Sequence, residues 1–457
     1  MKTKKLIGAL YKILFAAPLI IGVSSYLYAG ESFSDALYYS IKLYGMNYEK
    51  PEVFIAALEL ARWLAPLMTA ASIMVVVKSL FSYLQVHIGA MGRNGNVVYG
   101  DSEYACMLCE NEKSTVWCKG APISYAKNHF IMFRSDMENL SFCQKNLHRM
   151  KGKNIYVCMN ELDATLLKEM EGTSIKFFNP NDVIARRFWK ERQLWVDAPA
   201  EYKIAIVGFG HLGRRMLEKA LQLNLFSTKQ KIKYYVFGNG KHFKISHSEM
   251  DLMNQDKILY FDEDSEEQWK KLKSMDMIVL TENSDMDLIQ KVLCCSSPTC
   301  KVYYYSPQDE RLGDYIATDR LFPYGNSKEV FVLDNIKTDK LYRKAIALNR
   351  EYVNKYHSSE WEQLTGFFKD SNISSADYGE IVGLLHKKGM SDRELAELEH
   401  IRWCRFLFLR YWKYGVPANG TNKDEVQKIH KCLLPFAELD DNEQKKDFDV
   451  IEQWKKE

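Results

Sequence analysis

The run Ile204-Ala-Ile-Val-Gly-Phe-Gly-His-Leu-Gly-Arg-Arg-Met216 constrains this chain most, because an apolar strand pattern enters a Gly208-x-Gly210-x-x-Gly213 turn and leaves as a helix. Gly208 admits a tight turn, Gly210 lets backbone approach a pyrophosphate, and Gly213 lets the helix pack against the strand. The N–H groups of the first helical turn then face the anion. The pattern predicts a doubly wound α/β domain with a phosphate-cradling loop. An acid to hold the ribose is expected about twenty residues on. The second strand instead reads Lys233-Tyr-Tyr-Val-Phe-Gly-Asn239, so Asn239 supplies an amide where a carboxylate is usual. An NAD-type or adenine nucleotide would be held by Gly208, Gly210, His211, Leu212, Gly213 and Asn239; the alternative is a fold kept as a scaffold.

At 457 residues the chain exceeds one ordinary core, and about one domain per 150 residues suggests about three. A net charge of only +3 leaves no global basic field to recruit nucleic acid. The ten cysteines are scattered without a framework, and they read as small buried apolar side chains in a reducing compartment. No metal site and no catalytic residue is assigned.

Ile13 to Ala29 is apolar and uncharged, and Lys2, Lys4, Lys5 and Lys12 precede it. A second apolar stretch, Trp63 to Val77, is extended by Val53 to Leu60 and by Ser79 to Ile88. Residues 1–90 therefore read as a membrane α-helical hairpin. Basic residues on the flanks place both termini in the cytoplasm, giving a multi-pass protein of the cell inner membrane with the Gly30 to Glu52 loop outside. Within that loop, Ser32-Phe-Ser-Asp-Ala-Leu-Tyr-Tyr-Ser40 resembles the re-entrant pore helix of two-span potassium channels. The following Ile41-Lys-Leu-Tyr-Gly-Met-Asn47 lacks a potassium filter, and Lys42 would repel cations.

Strand patterns at Asn96 to Gly100, Thr115 to Cys118, His129 to Phe133, Asn154 to Cys158 and Ile175 to Phe178 alternate with helix patterns, so residues 91–199 form a degenerate first α/β domain. Its loop, Gly100-Asp-Ser-Glu-Tyr-Ala105, holds one glycine. Residues 200–310 repeat the plan with strands at Lys203 to Val207, Ile232 to Phe237, Lys257 to Phe261, Met277 to Leu280 and Lys301 to Tyr305. These two units read as tandem Rossmann-like domains. The acidic loops Phe261-Asp-Glu-Asp264 and Thr281-Glu-Asn-Ser-Asp285 fall at carboxyl ends of strands, where open α/β sheets bind ligands.

The segment Lys203 to Gln308, with Val-Gly-Phe-Gly-His-Leu-Gly at its loop and Asp276-Met-Ile-Val-Leu-Thr-Glu-Asn-Ser at its fourth strand, resembles the TrkA-N or RCK domains of potassium transport regulators. That resemblance implies binding of NAD-type, adenine or cyclic nucleotides, pairing into a homo-oligomer, and control of a membrane gate.

After a connector at 311–375, residues 376–457 read as helical. Leu395-Ala-Glu-Leu-Glu-His-Ile-Arg-Trp403, Trp412-Lys-Tyr-Gly415 and His430-Lys-Cys-Leu-Leu-Pro-Phe-Ala-Glu-Leu-Asp440 resemble, in order, the RyR domain named from ryanodine receptors. The resemblance implies an all-α domain that senses a cyclic or ADP-ribose-type nucleotide, often in antiviral systems. Glu399, His400, Arg402, Trp403, Arg405 and Tyr414 are its ligand candidates: arginine suits phosphate and tryptophan a stacked base.

The chain thus reads as a membrane helical hairpin plus α/β, with tandem Rossmann-like domains and a C-terminal all-α domain. The expected function is nucleotide-gated control of membrane permeability. The alternatives are a membrane-tethered NAD-dependent oxidoreductase, against which no Tyr-x-x-x-Lys or Cys/His nucleophile arrangement follows the glycine loop, and a passive membrane scaffold.

Overall fold

The computed structural model describes residues 2–91, 95–161, 174–192, 194, 201–261, 266–281, 286–316, 318–418 and 420–456. The chain divides into two compact units, Met1–Gly89 and Ala90–Glu457.

The first unit holds helices α1 (Lys2–Tyr28), α2 (Phe33–Leu43) and α3 (Ala56–Met91). Ser32 caps α2 by accepting a hydrogen bond from the Asp35 amide at 3.2 Å, which satisfies one of the orphan donors of the first turn. A small core of Tyr26, Ala36, Leu43, Leu58, Ala61 and Ala65 joins the three helices. The linker after α2 is pinned because the Tyr26 hydroxyl donates to the Glu49 carbonyl at 2.7 Å and Lys42 pairs with the Glu49 carboxylate at 2.7 Å. Among the described residues α3 alone is long and apolar enough to cross a membrane, while the apolar stretch Lys12–Tyr28 of α1 is shorter. Ile73, Val75, Val76, Val77, Leu80 and Phe81 of α3 are exposed, so the helix is apolar all round, as a lipid-facing helix requires. The expectation of two spans thus meets one qualifying helix.

The second unit opens with a parallel sheet of β1 (Asn96–Tyr99), β2 (Thr115–Cys118), β3 (Asn128–Ile131), β4 (Asn154–Cys158) and β5 (Ser174–Phe178), ordered β2-β1-β3-β4-β5. Helices α4 (Glu103–Asn111), α5 (Asp136–Asn146) and α6 (Pro180–Arg192) belong to it in sequence. A second parallel sheet follows, with β6 (Glu201–Val207), β7 (Lys231–Phe237), β8 (Lys257–Phe261), β9 (Met277–Leu280), β10 (Lys301–Tyr305) and β11 (Leu321–Tyr324). Its order is β11-β10-β9-β6-β7-β8, and α7 (His211–Leu223), α8 (Lys241–Ser246), α9 (Glu266–Leu272) and α10 (Met286–Cys295) connect its strands. Read from β8, this is the strand order 3-2-1-4-5-6 of a Rossmann fold. The chain therefore carries two parallel-sheet, Rossmann-like α/β domains.

β11 falls in the stretch expected to be a connector. Its Pro323 argues against a central strand, but β11 is the edge of its sheet, where a missing amide donor is tolerated. Next come α11 (Ser327–Val330), α12 (Leu333–Lys337), α13 (Asp339–Tyr356), α14 (Gly366–Lys387), α15 (Asp392–Phe408) and α16 (Asp441–Trp454). The expected all-α domain also contains a small sheet of β12 (Lys413–Tyr414), β13 (Lys423–Asp424) and β14 (Ile429–His430). Strands of two residues are too short to leave a periodicity.

One apolar core runs from α6 through α7 into these last helices, and it includes Phe188, Trp189, Met216, Leu217, Leu221, Leu395, Leu398 and Trp454. Trp454 is fully buried against α14, where a Cβ on Gly379 would stand 2.5 Å from its ring.

Candidate functional site: a glycine loop and an aromatic cavity

The strand order of the second sheet reverses between β6 and β9, which opens a crevice at their carboxyl ends. Gly208 leaves β6 with φ +88°, a conformation side chains avoid. A Cβ on Gly213 would overlap the Gly208 carbonyl oxygen, so only glycine lets α7 start this close to the strand. The loop is locked from β9, because the Thr281 hydroxyl donates to the Gly208 carbonyl at 2.5 Å and the Thr281 amide to the Val207 carbonyl at 3.0 Å. Gly210 is the extended N-cap of α7 and is exposed, as is His211, whereas Leu212 and Gly213 are buried. No acidic residue occupies the first turn of α7.

His211 lies 3.9 Å from Glu161 of the first domain at the mouth of this crevice. Arg214 and Arg215, one turn further in, each pair with Glu218 at 2.7 Å. Asn239 is exposed just beyond β7, at the place a ribose-binding acid would take. The acidic positions 262–264 and 282–285 lie outside the described residues. The corresponding turn of the first domain is closed: Gly100 has φ +120°, its Cβ would overlap the Met132 carbonyl, and Ser102 donates to that carbonyl at 2.6 Å.

The C-terminal helices enclose a cavity of about 690 Å³, within the usual range for small-molecule sites. Four of the six ligand candidates there, Glu399, His400, Arg402 and Trp403, line it. Arg405 belongs to a different environment. Its guanidinium is wholly buried and donates to the Leu252 and Leu221 carbonyls at 2.9 and 3.0 Å and to Asn254 and Asp256 at 2.8 Å. Arg405 thereby ties α15 to the end of α7. Tyr414 is exposed on β12.

Arg402 is buried too, and it meets both oxygens of Glu399 at 2.8 Å and Ser374 at 2.9 Å. Ser374 in turn donates to Gln222 of α7 at 2.7 Å. His400 faces Asp447 at 3.1 Å and the Leu434 carbonyl at 2.9 Å. Burial alone would lower the His400 pKa, but its polar neighbours, the hydrogen-bonded Asp447 among them, outweigh it and raise it. Cys404 lies 3.4 Å from His400, yet it is fully buried and its thiol is pushed up by that burial, so the pair is no activated nucleophile.

The structure adds residues to this wall that no ligand assignment included. Trp412 and His430 were visible as members of the RyR-like blocks, whereas Tyr352, Phe367 and Phe368 carried no signal because they lie on α13 and α14, outside those blocks.

No family model and no curated protein matches the chain. Among solved structures it is similar to GsuK bound to ADP, at 13% identity over 72% of this chain and 97% of that one, with a TM-score of 0.36. It is similar to a dipicolinate synthase from Bacillus halodurans at 11% identity over 54% and 96%, with a TM-score of 0.25. For D-lactate dehydrogenase from Escherichia coli the values are 10% identity, 56% and 96%, with a TM-score of 0.20. Likeness of this depth carries no argument, and the Rossmann-like character of the second domain rests on its own strand order and glycine loop.

Proposed function

We propose that the chain is a membrane-anchored nucleotide sensor in which an NAD-type or adenine nucleotide bound at the Gly208–Gly213 loop controls the permeability of a pore built by the N-terminal helices of several copies. The observation that carries this reading is the loop at the switch point. Its glycine geometry and locked carbonyl leave the first-turn amides of α7 available to an anion, with no acidic residue in that turn. The apolar α3 supplies the membrane element, and α1, with its basic start, completes a two-span hairpin with cytoplasmic termini. A ligand that favours one arrangement of the cytoplasmic domains would bias that hairpin by its differential affinity. Asn239 in place of an acid favours ADP or NAD held chiefly through phosphate.

The test is binding of ADP and NAD to the detergent-solubilised chain and to Gly210→Asp, whose carboxylate would occupy the phosphate position. Binding should be lost in the variant while its unfolding temperature is kept. In proteoliposomes the same ligands should change dye or ion leakage through the parent only. Equal affinity in both proteins would remove the loop from the function.

A further inference from the structure

α2 is too short to cross a bilayer, because its 11 residues rise only about 16 Å against a hydrocarbon core of about 30 Å. It is held as a half-span between two longer helices. Ala36, Ser40 and Leu43 are buried along one stripe, and Ser40 lies so close to Gly22 of α1 that a Cβ on Gly22 would stand 2.7 Å from its hydroxyl.

The turn after α2 is where a selective pore would present its backbone, since a potassium filter aligns consecutive carbonyls as ligands that replace the ion's hydration shell. Here the helix closes on itself instead. The Asn47 amide donates to the Lys42 carbonyl and the Met46 amide to the Leu43 carbonyl, both at 3.1 Å, around Met46 in the left-handed conformation at φ +61°. This is the hydrogen-bond pattern of a helix C-cap, not of an extended filter. The Ile41 and Lys42 carbonyls also accept the Tyr44 and Gly45 amides at 3.1 and 2.9 Å, and the Tyr44 carbonyl accepts the Thr69 hydroxyl of α3 at 3.0 Å. Four successive carbonyls are thus committed to partners within the chain, and the exposed tip of the turn is Gly45, Met46 and Asn47.

Side-chain charge then decides what can approach. Lys42, expected to repel cations, has its ammonium 2.7 Å from the Glu49 carboxylate and over the Tyr38 and Tyr39 rings at 4.9 and 5.8 Å, so its charge is matched where it stands. Arg62 is likewise matched, by Glu59 at 3.2 Å and by the Tyr48 ring at 4.4 Å. Between Gly30 and Glu52 the acids are Glu31, Asp35, Glu49 and Glu52 and the only bases Lys42 and Lys50, a net charge of −2 per copy. Repeated around a symmetric assembly, that excess raises the local concentration of cations and lowers that of anions.

We propose that the pore passes hydrated monovalent cations without discriminating K⁺ from Na⁺, and that Glu49 is the residue that keeps Lys42 from opposing them. The proposal rests on the pore reading given above and names what permeates. Ions cross with their water retained, because the backbone that would replace it is folded into the cap of α2.

The test is electrical, with the full-length chain reconstituted in planar bilayers and its current measured with and without ADP. With KCl on one side and an equal concentration of NaCl on the other, the current should reverse close to zero voltage. Across a KCl gradient it should reverse on the cation side. Glu49→Gln uncovers the Lys42 charge and should shift that reversal toward the chloride potential, and Lys42→Gln added to it should shift it back. A current that reverses at the potassium potential overturns this proposal and leaves the pore reading standing, as does a current carried mainly by chloride. A Glu49→Gln reversal identical to the parent's overturns the role of Glu49. Should Glu49→Gln fail to fold, Lys42→Gln alone must keep the cation preference, and its loss overturns the proposal equally. Absence of any current in either condition overturns the pore reading and this one with it.

Discussion

Arg405 and Trp403 are both ligand candidates by sequence, and the structure gives them opposite energetic characters. Arg405 and Asp256 are both wholly buried and 2.8 Å apart, and Asp256 also accepts the Ile232 amide at 2.6 Å and Gln230 at 2.8 Å. Arg405→Ala should therefore cost about 3–5 kcal/mol by leaving that carboxylate uncompensated, read as a lowered denaturation midpoint. Replacing both partners, as in Arg405→Met with Asp256→Leu, should cost clearly less than the sum of the single losses. Trp403 is half-buried at the cavity wall, so its removal should cost less stability than that of Arg405. Titration follows from the histidines. Burial lowers His129 and His430 to about 4, below the usual value near 6.5, so the unfolded chain binds more protons than the folded one between these values. Stability should fall as pH drops from about 6.5 toward 4. The sign is opposite for His400, whose raised pKa gives stability that is complete below about 6.5 and lost as pH climbs through its folded value. A plot of unfolding temperature against pH should thus decline on both sides. A plateau extending below pH 5 would contradict the buried neutral state of His129 and His430.

The elements of the two α/β domains were legible because buried parallel strands read as continuous apolar runs and glycine spacing marks the turn. Every strand from β1 to β10 lies where the pattern put it, to within three residues at either end. β11 was hidden by its proline, and the three-stranded patch by its brevity. The cavity was legible in part: Glu399, His400, Arg402 and Trp403 stand on the one helix that the sequence made obvious, whereas Phe367, Phe368 and Tyr352 reach it from helices with no local signal of shared function. Helix spacing put Arg402 and Arg405 on one face, but residues three apart still diverge enough for one to meet Ser374 and the other Asp256. α15 itself starts at a capping box in which Ser391 and Glu394 satisfy each other's amides. Ser391→Ala should cost about 1 kcal/mol, measurable by denaturation. In α3, Val76 is exposed in the middle of the apolar stretch. Val76→Lys should oppose insertion by about 2.5–3.5 kcal/mol, seen as a smaller membrane-inserted fraction; insertion equal to the parent's would argue that α3 does not span.

At the scale of the molecule, α7 joins the glycine loop to the cavity of the C-terminal helices. Its first turn forms the glycine loop, and its last residues meet Ser374 through Gln222 and Arg405 through the Leu221 carbonyl. Ser374 in turn receives Arg402 from the cavity wall. A nucleotide that shifts α7 must therefore work against the groups that shape the cavity. Saturating ADP should change amide exchange in α15 as well as at the loop. Exchange in α15 that ignores ADP would show that α7 is a rigid spacer. Topology is checked separately: cysteine labelling from outside should reach the loop between α1 and α3 and spare the C-terminal helices.

The Arg405–Asp256 pair also sets an order of events on the ribosome. Its partners are separated by 149 residues of chain, which at usual elongation rates of 5–20 residues per second takes about 7–30 s to synthesise. Throughout that interval the second α/β domain carries a carboxylate shaped for a guanidinium that does not yet exist. The domain must either hold that face hydrated and loose or recruit a chaperone to cover it, and its last tightening comes only when α15 has left the exit tunnel.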